Sequence, residues 1–169
     1  MIVLFLDIDD VITTSWSFRQ SRSKKNWFNG TTYPFDPKCV NILNEALKLT
    51  PTNIVLTSDW RSHFSLPEIQ EIFLWNKVSH IPTEYTPFIF HKKLDSGKLE
   101  LFEDMAEKRD TEITKYINDN NIENFYILDD MPLKCYPERF IRCKIDEGLK
   151  QCGMLGKITK LLKKLENLE

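Results

Sequence analysis

No apolar stretch of this 169-residue chain approaches the roughly 20 residues that a membrane-spanning helix needs; the longest opens the chain and stops at Asp7. That opening also lacks a basic leader and is too short for the apolar part of a secretory signal, so it reads as folded structure. Cysteine is sparse and unpatterned: Cys39, Cys135, Cys143 and Cys152 form no Cys-x-x-Cys, and no histidine stands at zinc-ligand spacing. A zinc module or disulfide framework is thereby disfavoured; reduced thiols, a cytoplasmic setting and no disulfide-linked partner are expected. Cys39 and Cys143 lie in apolar patterns and read as packing residues, whereas His63, His80 and His91 are scattered and belong to no motif. Neither sign of charge dominates. With 23 basic against 25 acidic residues the net charge is −2, so a grip on a polyanion has to be a local patch. Internal repeats, low-complexity tracts and linkers are absent too, which leaves one domain over residues 1–169, with a monomer favoured.

What is present alternates. Residues 2–6 form a continuous apolar run of the kind covered on both faces in a parallel sheet, and residues 53–56 and 125–128 repeat the pattern. Each run ends abruptly in polar residues: Asp7, then Thr57-Ser58, then Asp129-Asp130. Between them, Val40, Leu43 and Leu47 follow an Asp36-Pro37 start signal. Ile69, Ile72 and Phe73 follow Pro67, and Ile113, Tyr116 and Ile117 trace a third helical face. Residues 140–145 supply an edge strand, and Met154, Ile158, Leu161, Leu165 and Leu168 mark the apolar face of a final helix over 153–169 that docks on the sheet. An Asp95-Ser96-Gly97 turn between Phe88-Ile89-Phe90 and Leu99-Glu100-Leu101-Phe102 suggests a small hairpin inside an insertion over 77–105. The expected architecture is α/β: a three-layer Rossmann-like fold with a mainly parallel sheet and its site beyond the carboxyl ends of the strands.

If the first strand stays extended past its end, Asp7 and Asp9 point to one side. Alone, such acids are ordinary turn formers. Joined by Thr57, Ser58, Asp129 and Asp130 at neighbouring strand ends, they make a cluster whose mutual repulsion raises pKa values unless a cation intervenes. Oxygen donors without histidine or cysteine favour a hard divalent ion, and Mg²⁺ suits a site that keeps waters and accepts a phosphate oxygen.

These residues resemble the haloacid dehalogenase-like (HAD) phosphohydrolases. Phe5-Leu6-Asp7-Ile8-Asp9-Asp10-Val11-Ile12 is similar to their first motif, Ile54-Val55-Leu56-Thr57-Ser58 to their second and Ile127-Leu128-Asp129-Asp130 to their fourth. Their third, a basic residue before or in a helix, is matched by Arg109, with Lys108 beside it as the other candidate. Thr57-Ser58-Asp59-Trp60-Arg61, Arg109-x-x-Glu112-Ile113 and Glu147-Gly148-Leu149 further resemble the compact HAD domain of RNA repair proteins and polynucleotide phosphatases. The sequence departs at Asp10, where the family most often has glycine.

The resemblance implies a phosphoric monoester hydrolase with a minimal or no cap domain, in which Asp7 is the nucleophile and Asp9 the general acid and base. Mg²⁺ would be held by Asp7, the main-chain carbonyl of Asp9, and Asp129 or Asp130 or both. Thr57, Ser58 and Arg109 would bind the phosphate. Residues 11–35 contain no acid but hold Arg19, Arg22, Lys24 and Lys25 among Trp16, Phe18, Trp27 and Phe28, the mixture that grips single-stranded nucleic acid. The same aromatics could instead pack on the body. Trp60 and Arg61 stack on a terminal nucleotide in one reading, and are buried structure with a surface charge in the other. The expected substrate is a phosphorylated nucleic-acid end, 3′ or 5′; a nucleotidase acting on free nucleoside monophosphates is the alternative. A receiver-like signalling domain is the rival of another class, disfavoured because the Asp-x-Asp pair comes first in the chain. A metal-dependent nuclease would cut internally.

Overall fold

Five residues of unbroken hydrocarbon need cover on both faces, and β1 (Ile2–Leu6) has it, lying at the centre of a parallel sheet. The computed structural model describes residues 1–21 and 34–166. After β1 the chain forms α1 (Ser15–Ser21), α2 (Pro37–Leu47), β2 (Thr52–Leu56) and α3 (Leu66–Trp75). Next come β3 (Pro82–Tyr85), the hairpin strands β4 (His91–Lys93) and β5 (Leu99–Leu101), and α4 (Met105–Asn120). The chain ends with β6 (Phe125–Asp129), β7 (Phe140–Arg142) and α5 (Met154–Glu166). Strand order is β3-β2-β1-β6-β7, with every neighbouring pair parallel.

The alternation of side chains along β1 divides the core in two. Ile2, Leu4 and Leu6 join Leu43 of α2, Ile69 and Phe73 of α3, and Ile158 and Leu162 of α5. Val3 and Phe5 face the other way, to Ile113, Tyr116 and Ile117 of α4. This is the three-layer α/β arrangement expected, and the insertion carries no large cap. Asp36 caps α2 by accepting from the Lys38 N–H at 3.0 Å, with Pro37 opening the helix. Cys39 and Cys143 are buried in the first core.

Several boundaries differ from expectation. The basic and aromatic segment begins as the short helix α1, which carries Arg19 exposed on its surface; Arg22, Lys24, Lys25, Trp27 and Phe28 lie outside the described residues. β3 had no signature, because an edge strand reading Pro-Thr-Glu-Tyr with one buried residue shows no apolar alternation. It takes part of the 77–105 segment into the main sheet. The hairpin forms, but its first strand starts at His91, just after the apolar triplet. On α5 the buried stripe is Met154, Ile158, Leu162 and Leu165, with Leu161 only partly covered, and Leu168 lies outside the described residues.

Candidate active site

β1 ends at Leu6, and the Asp7 N–H still donates to the Leu128 carbonyl of β6 at 3.0 Å, which fixes Asp7 beside the end of that strand. The chain does not stay extended through Asp9. It turns at once: the N–H groups of Val11, Ile12 and Thr13 all point to the Ile8 carbonyl, at 3.3, 3.0 and 3.0 Å. Asp10 sits in the left-handed region with φ 53°, where glycine would be at ease. Its carboxylate takes a hydrogen bond from the Asp146 N–H at 2.8 Å, a contact that glycine lacks. Gly148, with φ +54°, backs the same turn: a Cβ there would stand 2.5 Å from the Val11 carbonyl oxygen, to which the Leu149 N–H donates at 2.9 Å. Glu147-Gly148-Leu149 thus clamps the loop that carries Asp7 and Asp9.

Carboxylate oxygens of Asp7, Asp129 and Asp130 lie within 4.8 Å of one another. The Asp9 carboxylate is outside that trio. It accepts from the Trp60 indole Nε1–H at 2.9 Å and from the Thr13 hydroxyl at 3.2 Å. This orientation keeps the Asp9 side chain apart from the three clustered acids. Arg109 joins the acids, one guanidinium nitrogen lying 2.9 Å from both Asp7 and Asp129. It lies inside the helix, since α4 starts at Met105, and it is buried. Lys108 turns elsewhere, over the Phe88 ring and toward Glu112, which leaves Arg109 as the basic residue among the acids.

The electrostatics follow from four buried or half-buried carboxylates gathered at neighbouring strand ends, of which Asp7 and Asp129 pair with the one guanidinium. Burial, reinforced by the charge of Asp7, lifts Asp129 to about 7 against the pull of Arg109. Burial and the charges of Asp7 and Asp10 lift Asp130 to about 6. Asp7 is raised by burial, partly offset by Arg109, and Asp9 by burial and by Asp7, partly offset by Trp60 and Thr13. Burial works against the charge of Arg109, yet Asp7 and Asp129 hold it firmly protonated. Thr57 closes the site from β2. Its N–H donates to the Leu6 carbonyl at 3.0 Å, while its buried hydroxyl has no partner among the described residues, a state costing about 1–3 kcal/mol unless a ligand relieves it. The Ser58 hydroxyl serves Asp7 and, at 3.4 Å, accepts from the Trp60 N–H.

Trp60 and Arg61 correct the stacking expectation. The Trp60 ring is buried between Phe35 and Phe64, centroids 6.0 and 5.5 Å away, so it reaches the site through its N–H and offers no open face. Arg61 is buried in an ion pair with Glu112, donates to the Thr57 carbonyl and to the Thr86 hydroxyl, and lies 4.4 Å from the centre of the Phe88 ring. The other Glu112 oxygen accepts from the Ile89 N–H at 3.1 Å. Residues 51 apart thereby lock the end of β2 to the insertion. The partnership had no local signal, although both residues stood in the strings that carried the resemblance. Asp110 is a further supporting residue the sequence left unmarked; its carboxylate receives the N–H groups of Lys134 and Cys135 and so steadies the loop after Asp130.

Neither a curated protein nor a solved structure matches the chain. A family model, the HAD domain in Swiss Army Knife RNA repair proteins, matches residues 3–152, a span holding every acid, the hydroxyls and the guanidinium just described. The chain belongs to that family of HAD domains.

Proposed function

We propose that the protein is a Mg²⁺-dependent phosphatase that removes a terminal phosphate from a nucleic-acid strand through an aspartyl-phosphate on Asp7. The observation that carries the reading is the meeting of Asp7, Asp129, Asp130 and Arg109 at adjoining strand ends, beside a buried Thr57 hydroxyl without a partner. Mg²⁺ fits this donor set: the three clustered ligands offer only oxygen, and carboxylates pushed upward by burial and mutual repulsion are relieved by a divalent cation. Held by Asp7, Asp129 or Asp130 and the Asp9 carbonyl, the ion would offset charge between nucleophile and phosphate.

The chain's own residues perform the rest. An Asp7 oxygen attacks phosphorus, forming the acyl phosphate as the bond to the leaving oxygen breaks, and Asp9 gives that oxygen a proton. Asp9, now ionised, takes a proton from a water that attacks the same phosphorus; inorganic phosphate leaves and Asp7 is restored. Thr57 and Ser58 donate to the non-bridging oxygens. Arg109 orients Asp7 and adds positive charge where it accumulates on the phosphoryl group.

A macromolecular end is favoured because the insertion forms only a two-stranded hairpin, and Asp9, Asp10 and Asp130 remain partly exposed. A substrate panel tests this: 3′- and 5′-phosphate DNA and RNA, nucleoside monophosphates and a sugar phosphate, each with Mg²⁺ and with chelator. The expected result is Mg²⁺-dependent phosphate release from oligonucleotide ends, abolished in Asp7→Asn. A clear preference for free nucleotides would make the protein a nucleotidase, and internal cleavage of labelled strands would make it a nuclease. A stable phospho-protein without turnover would favour the receiver-like reading.

A further inference from the structure

Away from the acids, a groove of about 860 Å³ runs between the edge strand β7 and α5. Its floor is apolar, made by Phe140, Ile141 and Leu161, each only partly covered. Its rim is cationic: Arg142, Lys157, Lys160, Lys163 and Lys164 against a single acid, Glu138. From residue 148 to 165 the chain has five lysines and no acid. The four rim lysines are exposed, and none makes an ion pair among the described residues. A lysine face on an amphipathic helix is ordinarily just solvated. Here the groove also leads to the chemistry, because Arg142 pairs in register with Asp129 and its Nε–H donates to the Asp130 carbonyl at 2.8 Å. Gln151, one turn before α5, reaches the Arg142 carbonyl at 3.5 Å, which sets the start of α5 beside the site. From there Lys157, Lys160 and Lys164 step away over about 10 Å of helix.

We infer that this groove is the track for the single-stranded nucleic acid whose phosphorylated end enters the acidic site, lysines meeting phosphates and the apolar floor meeting bases. It rests on the proposed substrate class and adds a second contact region outside the catalytic machinery. A nucleic-acid strand is favoured over an acidic peptide because Arg142, which lines the groove, also touches the Asp130 main chain of the site proposed to take a terminal phosphate.

The test is steady-state kinetics of the full chain and of the Lys157→Glu/Lys160→Glu/Lys164→Glu variant on p-nitrophenyl phosphate, a nucleoside monophosphate and a phosphate-ended single strand of about 12 nucleotides. Reversal is expected to raise KM for the oligonucleotide about 10-fold at moderate salt and to flatten its salt dependence by about 2 logarithmic units per unit of log salt, from three lost phosphate contacts. The two small substrates are expected to change less than about 2-fold, and the triple Lys→Arg variant is expected to keep the oligonucleotide KM. If wild type processes oligonucleotides and reversal leaves their KM unchanged, the groove is overturned while the substrate class stands. If wild type hydrolyses small phosphomonoesters but no strand end, both fall. A polyglutamate peptide competing as well as an unphosphorylated strand would assign the groove to an acidic protein partner.

Discussion

At the scale of single residues, the contact that most constrains the chemistry is the indole N–H of Trp60 on Asp9. In the proposed mechanism Trp60 does not touch the reacting atoms and is a positioning residue: it aims the half-buried carboxylate proposed to hand a proton to the leaving oxygen. Trp60→Phe keeps a ring between Phe35 and Phe64 but removes the donor. Its kcat/KM on an alkyl phosphate, whose leaving group needs protonation, is expected to fall about 10²-fold, the lower end for general acid catalysis. On p-nitrophenyl phosphate, whose leaving group departs as an anion, it is expected to fall far less. Equal losses on both substrates would reduce Trp60 to packing. Arg61 and Glu112 pose a different residue-scale question, since both side chains are 1% exposed. Glu112→Gln leaves an uncompensated buried guanidinium, and urea denaturation is expected to show a loss of about 3–5 kcal/mol. Replacing both partners, as Arg61→Met with Glu112→Leu, is expected to recover much of it. Sequence placed Arg61 at the site but not facing inward, because its partner lies in another element.

Elements were legible where the hydrophobic pattern had one cause. β1, β2 and β6 are covered on both faces, so continuous apolar runs announced them, and their ends announced the site. β3 is held by backbone pairing to β2, and α1 is a helix of only about two turns, Ser-Trp-Ser-Phe-Arg-Gln-Ser; neither is long enough to write a periodicity. The start of α4 was not legible because its cap, Asp104, sits among acids that carry no apolar rhythm. The least visible element is the short turn at Gly148–Lys150, whose function is to press on the loop after β1. Gly148→Ala is expected to destabilise the protein by at least about 1–2 kcal/mol from left-handed strain alone. The clash with the Val11 carbonyl then moves the Asp7 loop, so the melting temperature and kcat are expected to drop together. Wild-type kcat in a folded Gly148→Ala protein would show that the turn does not set the loop. Asp10→Gly, which relieves strain but forfeits the Asp146 contact, is expected to be nearly neutral in stability.

For the whole molecule, the site concentrates like charge that the fold must tolerate without a metal, and stability therefore depends on pH. Asp129 rises to about 7 and Asp130 to about 6, and Asp7 rises as well, so the folded chelated protein binds protons that the unfolded chain releases near pH 4. A raised carboxylate adds stability below its unfolded value and loses it as pH climbs through its folded one. In chelator, the contribution of these groups is thus expected to fall between about pH 4 and pH 7. The loss amounts to a few kcal/mol, at roughly 1.4 kcal/mol for each pH unit by which folding raises a carboxyl group. Asp36, held down by Lys150 and Thr14 against its burial, works in the opposite sense at lower pH, so the decline is clearest from pH 5 to 7. Mg²⁺ bound among these acids, as proposed, would compete with those protons, and its stabilisation is expected to be small at pH 5 and large at pH 8, where the carboxylates are already ionised. Melting temperatures at pH 5, 6, 7 and 8, with EDTA or Mg²⁺, measure both effects, and Asp130→Asn separates them. That variant removes one titrating acid and one ligand oxygen, so its chelated form is expected to lose less stability with rising pH and to gain less from Mg²⁺ at pH 8. A Mg²⁺ gain independent of pH would mean that the ion binds somewhere other than among these acids.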